Sequence, residues 1–161
     1  MSGSDVEPAP EVEPARLLRR CRDNVALMAQ MRRLYAEADA AIAAFDATCL
    51  GGGACCKFDL FDHRLYVTMP ELAYLTLEPP PQPGRVRRRR CPYQVGPRCT
   101  GHARRPLGCR TFFCRTPRRA QLEEMHERFA RRIRRLHDEH ALPYVYADMI
   151  DLLLKCPTGG G

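Results

Sequence analysis

The chain has no apolar run able to cross a bilayer: Ala141–Leu154, the longest apolar stretch near the end, is broken by Pro143, Asp148 and Asp151. It also lacks a positively charged start followed by an apolar segment. It opens instead with Asp5, Glu7, Pro8, Pro10, Glu11, Glu13 and Pro14, so a secretory signal is not expected and a cytoplasmic protein with no membrane partner is. Lysine is almost missing, with Lys57 and Lys155 alone, so positive charge is carried by arginine. No C-x2-C pair occurs, which argues against a zinc ribbon and against a thioredoxin-type redox motif. HExxH is absent, and Gly51-Gly52-Gly53 is not followed by the Lys-Ser/Thr of a phosphate-binding loop. There is no recognisable nucleophile–base pair and no internal repeat.

What the chain has is cysteine. Seven of its nine cysteines fall between Cys49 and Cys114, in the order Cys49, Cys55, Cys56, Cys91, Cys99, Cys109, Cys114. An odd total without a secretory start argues against a fully paired disulfide framework. In a reducing compartment, clustered cysteines are more often metal ligands or reactive thiols than structural bridges. Metal ligation is the reading that follows.

With 161 residues, the chain is one ordinary domain that can bury a core without metal. Residues 1–14 hold four acids and no Lys or Arg and read as a disordered acidic tail. Residues 15–156 form the domain, with the cysteine cluster at 48–115, and 157–161 are a flexible tail. From about 15 to 47, Met28, Met31, Tyr35, Ala38, Ile42 and Phe45 recur three and four apart, with Leu17, Cys21 and Val25 continuing the stripe upstream. That spacing predicts a long amphipathic helix, with Cys21 acting as a small hydrophobe in its buried stripe.

Further along, Leu65-Tyr66-Val67 predicts a short strand. Thr68-Met69-Pro70-Glu71 predicts a capping box that opens a short helix to about Leu77. Pro79–Gly84 reads as an extended loop, and 91–115 as irregular chain held by whatever its cysteines bind. Thr116-Pro117 opens a second long helix, about 117–141, with Leu122, Met125, Phe129, Ile133 and Leu136 as its buried stripe. A shorter helix is expected from about Tyr146 to Lys155. The fold class expected is mainly α: two long amphipathic helices packed with an irregular cysteine-rich metal-binding region and short helices.

Thiolates are soft, strongly donating ligands, and four of them complete a tetrahedral zinc site or hold an iron–sulfur cluster. Cys49-x5-Cys55-Cys56, Cys91-x7-Cys99 and Cys109-x4-Cys114 would supply the ligand groups; only the last has common zinc spacing. Cys55 and Cys56 are adjacent, and neighbouring side chains in extended backbone point to opposite faces. They therefore serve different metal atoms, or one ligates and the other supports. His63 and His102 lie near enough in sequence to complete a second site, although surface histidine is the commoner reading. The surplus and irregular spacing of cysteines favour an iron–sulfur cluster over zinc.

The order of Cys49, Cys55, Cys56, Cys91 and Cys99, closing on Arg105-Pro106-x2-Cys109-Arg110-x-Phe112-x-Cys114, resembles the YkgJ-like cysteine-cluster proteins, described as zinc- or iron-chelating domains. The likeness covers about residues 48–115. It implies that the seven cysteines are the metal ligands. The family's second cysteine falls at Gly52 here, so the resemblance implies either that this position is dispensable or that another ligand replaces it.

Arginines interleave the cysteines. A four-thiolate zinc site or four-iron cluster carries a charge of about −2, which Arg104, Arg105, Arg110 and Arg115 would offset. Arg105 and Arg110 are the favoured donors of hydrogen bonds to sulfur, while Phe112 and Phe113 would wall the site from water. The expected function is a metal-binding module with a structural or redox role. Its partners are a metal ion or cluster and a protein; no catalytic motif is recognised, and a non-enzymatic module is favoured over an enzyme without deciding between them. One alternative is a nucleic-acid-binding module using Arg85-Val86-Arg87-Arg88-Arg89-Arg90, because such basic runs contact phosphate. That alternative is less favoured, since the run has no interleaved aromatics. Another is a cluster-dependent enzyme with an open metal position near Gly52.

Overall fold

The computed structural model describes residues 12–45, 56–112 and 116–157. Cys49, Gly52, Cys55, Phe113, Cys114 and Arg115 lie outside them, as do both tails apart from Val12, Glu13, Pro14 and Pro157.

The first helical stretch is two helices, α1 (Pro14–Asp23) and α2 (Val25–Ile42). Pro14 starts α1, where its missing N–H leaves nothing unpaired. The break falls at Asn24, whose backbone is extended (φ −84°, ψ 93°) and whose side chain accepts from Leu27 N–H at 2.9 Å. Asparagine competes with the helix for backbone hydrogen bonds and so favours a cap over an interior position. The break also ends the predicted stripe: Leu17 and Cys21 are buried, but Val25 is 81 % exposed. Along α2, Met28, Met31, Tyr35, Ala38 and Ile42 are buried as the periodicity predicts, with Leu27 and Leu34 beside them.

After the one-turn helix α3 (Phe58–Phe61), strand β1 (Tyr66–Thr68) leads directly into α4 (Met69–Leu75). Glu71 accepts from Thr68 N–H at 2.7 Å and from the Thr68 hydroxyl at 2.9 Å, closing the predicted cap. Pro83–Arg88 forms a 3-10 turn that takes in the last two residues, Pro83 and Gly84, of the loop expected to be extended. The segment after Cys91 is also more ordered than expected. It holds a hairpin, β2 (Gln94–Val95) and β3 (Arg98–Cys99), a 3-10 turn at His102–Arg104, and helix α5 (Leu107–Thr111). Gly96, at φ 58°, stands at the first central position of the two-residue hairpin turn, where a positive φ suits glycine.

The second long helix, α6 (Arg119–Glu139), buries Leu122, Met125, Phe129, Ile133 and Leu136 as predicted, and adds His137. It begins at Arg119. Thr116 Oγ1 accepts from Arg118 N–H at 3.1 Å one step earlier, so Pro117 precedes the first turn. The expected last helix divides into strand β4 (Tyr146–Asp148) and helix α7 (Met149–Lys155), with the Asp148 side chain accepting from Asp151 N–H at 3.0 Å.

β4 pairs antiparallel with β1, setting Tyr66 opposite Asp148 and Thr68 opposite Tyr146. Each strand runs into a capped helix, so the small sheet fixes where α4 and α7 start. α4 packs against α1 and α2, α6 against α2 and α5. The buried faces of these helices make one core, in which Cys21 and Cys156 sit as apolar groups. Burial pushes the Cys21 thiol up to about 11. The fold is mainly helical, and among the described residues no helix is long and apolar enough to cross a membrane.

Candidate metal centre

Four of the seven clustered cysteines are described: Cys56, Cys91, Cys99 and Cys109. The hairpin organises the first three. Cys91 N–H donates to Cys56 O at 3.2 Å, and Gln94 N–H to Cys91 O at 3.4 Å. Register then sets Cys99 opposite Gln94. A hydrogen bond from the Cys56 thiol holds the Cys91 thiol below its usual pKa, opposed by burial. The backbone N–H groups of Tyr93 and Gln94 act in the same direction, and the nearby Cys99 sulfur opposes them. Main-chain N–H groups aimed at a buried sulfur favour its thiolate form, the form that binds metal.

Tyr93 anchors the hairpin. Its buried hydroxyl donates to Leu75 O at 3.2 Å and Glu78 O at 2.8 Å, and its carbonyl accepts from Thr100 N–H at 2.8 Å. A Cβ at Gly101 would stand 3.0 Å from Leu75 Cδ1 and 3.1 Å from Tyr93 Cδ1, so the chain after Cys99 packs closely onto this anchor.

Cys109 belongs to α5 and faces other neighbours. It lines a cavity of about 240 Å³ with His63, His126, Phe58 and Phe112. Among the described residues, no group of three or more His, Cys, Asp or Glu side chains is placed to hold a metal ion. Cys49, Cys55 and Cys114 lie outside those residues.

The arginines separate into distinct roles. Arg110 is 1 % exposed. Its Nε donates to Arg105 O at 2.9 Å, Nη2 to Ala103 O at 2.8 Å, and Nη1 to Asp39 Oδ2 at 2.6 Å. Its guanidinium also lies 4.0 Å from the Tyr35 ring centroid. The sequence reading set Arg110 beside sulfur. The fold commits every guanidinium nitrogen to carbonyls or a carboxylate, and Arg110 clamps α5 to α2.

For Arg105, burial and Arg110 lower its pKa, while Asp39 and the nearby Cys109 and Cys99 sulfurs favour its charge. Its Nη1 donates to His102 O at 2.9 Å. Burial, with Arg105 and Arg110 close by, pushes the His102 imidazole down towards its neutral form. Arg104 pairs with Glu78. His63 lies between two rings, 5.0 Å from Phe58 and stacked at 6.3 Å on Phe112. Phe112 is 49 % exposed, so it does not close the site from water.

Three of the five arginines in the basic run are half-buried and bonded within the chain. Arg85 donates to Gln94 O and Oε1, both at 3.1 Å, and so braces the hairpin. Arg89, at φ 53°, donates to Asp151 at 2.9 Å and Asp148 at 3.0 Å. Arg90 donates to both Asp59 carboxylate oxygens at 3.1 Å. Only Arg87 and Arg88 of the five stand exposed. The run ties the segment before Cys91 to α3 and α7.

Sequence reasoning missed the use of Glu71. Beyond its cap, this buried carboxylate accepts from Leu107 N–H at 3.0 Å, at the start of α5, and from Tyr35 hydroxyl at 3.3 Å. Burial and the adjacent Glu71 carboxylate push the Tyr35 hydroxyl pKa well up. The available signal was Pro106, which marks a helix start whose N–H groups need an acceptor. Gly108 was likewise passed over: a Cβ there would fall 2.6 Å from Leu65 Cδ1. In comparisons with known proteins, no family model, no curated protein and no solved structure matches the chain.

Proposed function

We propose that this chain is a metal-binding cysteine-cluster module that holds an iron–sulfur cluster or zinc through clustered thiolates, with a structural or redox role. The observation that carries the reading is the Cys56–Cys91 pair with Cys99 near Cys91. The Cys91 sulfur is buried, hydrogen-bonded by the Cys56 thiol, and faced by main-chain N–H donors that stabilise its thiolate. The resemblance of 48–115 to the YkgJ-like proteins supports it and adds Cys49, Cys55, Cys109 and Cys114 as ligands. Arg105, near Cys99 and Cys109, would offset thiolate charge.

The surplus of cysteines and their irregular spacing favour iron–sulfur over zinc. Bound iron–sulfur would supply one-electron chemistry; bound zinc would supply a cross-link. The chain's own part is to present sulfur, exclude water around Cys91 and fix the hairpin through Arg85 and Tyr93. Anaerobic purification followed by elemental analysis and a visible spectrum tests the proposal. Iron, acid-labile sulfide and a visible absorption band are expected. A colourless protein with zinc would replace iron in this reading, and a metal-free monomer of ordinary stability would overturn it.

A further inference from the structure

Cys56 and Cys91 belong to separate segments, and three ties hold them side by side. The main chain supplies one, with Cys91 N–H donating to Cys56 O at 3.2 Å. The thiols supply another, a hydrogen bond from Cys56 to the Cys91 sulfur. The third lies one residue before Cys91 and three after Cys56, where Arg90 Nε donates to both Asp59 carboxylate oxygens at 3.1 Å. Residues joined by such a main-chain bond have Cα atoms about 5–6 Å apart, a separation that a disulfide spans.

Exposure separates the two residues. Cys56 is half-buried, whereas Cys91 is 7 % exposed. A solute approaching from water therefore meets Cys56 first and finds Cys91 behind it. Cys99 is also near, but its main chain pairs with Gln94, so the hairpin sets it opposite that residue and not opposite Cys91.

We propose that Cys56 and Cys91 are a reversible redox pair, oxidised to a disulfide by a hydroperoxide, and that the disulfide withdraws both sulfurs from metal. The Cys56 sulfur takes one oxygen of the peroxide and becomes a sulfenic acid, while the other oxygen leaves as water or an alcohol. The Cys91 sulfur then attacks the Cys56 sulfur. The S–S bond forms, the S–O bond breaks, and the oxygen leaves as water with the Cys91 thiol proton. Two electrons pass from the sulfurs to the peroxide, and a dithiol returns them. The main-chain bond and the Arg90–Asp59 pair hold the junction already, so closing the disulfide asks for little movement. Metal is bound by thiolate, which neither sulfur can supply once the two are joined. That consequence rests on the metal reading; the disulfide itself does not.

The test uses the full chain, purified anaerobically, and hydrogen peroxide in equimolar and then rising amounts. Remaining thiols are capped with N-ethylmaleimide, and unreduced tryptic peptides are mapped by mass spectrometry. Cleavage after Arg90 and Arg98 leaves Cys91 alone in its peptide, and fragmentation tells Cys56 from the adjacent Cys55. The first cross-link is expected to join Cys56 to Cys91, and dithiothreitol should remove it. Any metal present should be lost in step with that link. Cys91→Ser removes the attacking sulfur, so Cys56 should accumulate as a sulfenic acid that dimedone labels. Asp59→Asn keeps every cysteine and should slow the cross-link by roughly 2- to 5-fold, because it loosens the junction. Unchanged far-UV circular dichroism checks that each variant folds. A metal-free chain that still forms the link would end the metal reading and sustain the redox pair. Four results would overturn the proposal: a first link between another pair, metal with no link at all, metal fully retained once the link has formed, or equal rates in Asp59→Asn and wild type.

Discussion

The Arg110 guanidinium carbon stands over the Tyr35 ring, 4.0 Å from its centroid, and the side chain reaches from there to Asp39, one turn further along the same helix. This pairing couples the cysteine-bearing helix α5 to α2. It also holds the loop before α5, because the other two guanidinium nitrogens take the carbonyls of Ala103 and Arg105.

Removing that clamp should be costly. Arg110→Met leaves two part-buried carbonyls without their donor, and Arg110→Lys keeps charge but loses the planar fork that serves three acceptors. Breaking a buried charge pair costs about 3–5 kcal/mol, and the half-exposed Asp39 places this one at the lower end. Urea unfolding should show the midpoint falling for both variants, less for lysine. An unchanged midpoint in Arg110→Met would refute the clamp.

Glu71 should behave as a shared cap. Its two oxygens accept from four donors on three segments: Thr68 N–H and hydroxyl, Tyr35 hydroxyl and Leu107 N–H. Glu71→Gln turns an NH2 group towards one pair of those donors, so a loss of about 1–3 kcal/mol is expected. Amide exchange should quicken at Leu107 as well as at Thr68. Faster exchange at Thr68 alone would confine Glu71 to α4.

Leu65 sits on Gly108. Gly108→Ala would put a methyl 2.6 Å from Leu65 Cδ1, the end of a half-buried flexible side chain that has to turn aside, so a loss of no more than about 1 kcal/mol is expected. Leu65→Ala added to Gly108→Ala should recover part of the loss in a thermal melt. Strictly additive effects would show that the two positions do not touch.

His137 gives a pH signature. Burial pushes its imidazole below the usual histidine value, its Nδ1 faces Ile133 O at 3.1 Å, and its buried Nε2 has no hydrogen-bond partner among the described residues. A depressed folded pKa means that the unfolded chain binds the proton first. Stability is therefore full above about pH 6.5 and falls as pH drops from there towards the folded value. His102 shifts in the same direction, so the difference between the wild type and His137→Phe isolates the group. The variant's stability should vary less between pH 7 and pH 5; an identical slope would remove His137 from the effect.

Metal content should distinguish cluster from core cysteines. Cys91→Ser and Cys109→Ser are expected to lose most of the bound metal, whereas Cys156→Ser, in the core at 2 % exposure, should keep it. Equal content in all three proteins, measured by elemental analysis, would count against the proposed ligand set.

Much of the helical frame was legible from spacing. The stripes of α2 and α6 appear because a 3.6-residue period puts every third or fourth side chain on one face whatever that face later meets. The Thr68–Glu71 cap was legible for the same reason: its partners are three residues apart. The break at Asn24 carried a local signal too, but the apolar stripe passed through it. The strand β4 was not legible, since three residues extend only because β1 pairs with them.

The sequence by itself determined the local chemistry: which helix faces are apolar, where α2's stripe and the α4 cap lie, and that seven cysteines crowd one region among arginines. Tertiary structure decided what each arginine does. Arg110 finds Asp39 across 71 residues, and Arg89 finds Asp148 across 59 and Asp151 across 62. It also set Cys91 beside Cys56 and Arg90 on Asp59. A charge or a ring acts over a few ångströms, and at such separations along the chain only the docking of helices and the pairing of strands fixes which groups come that close.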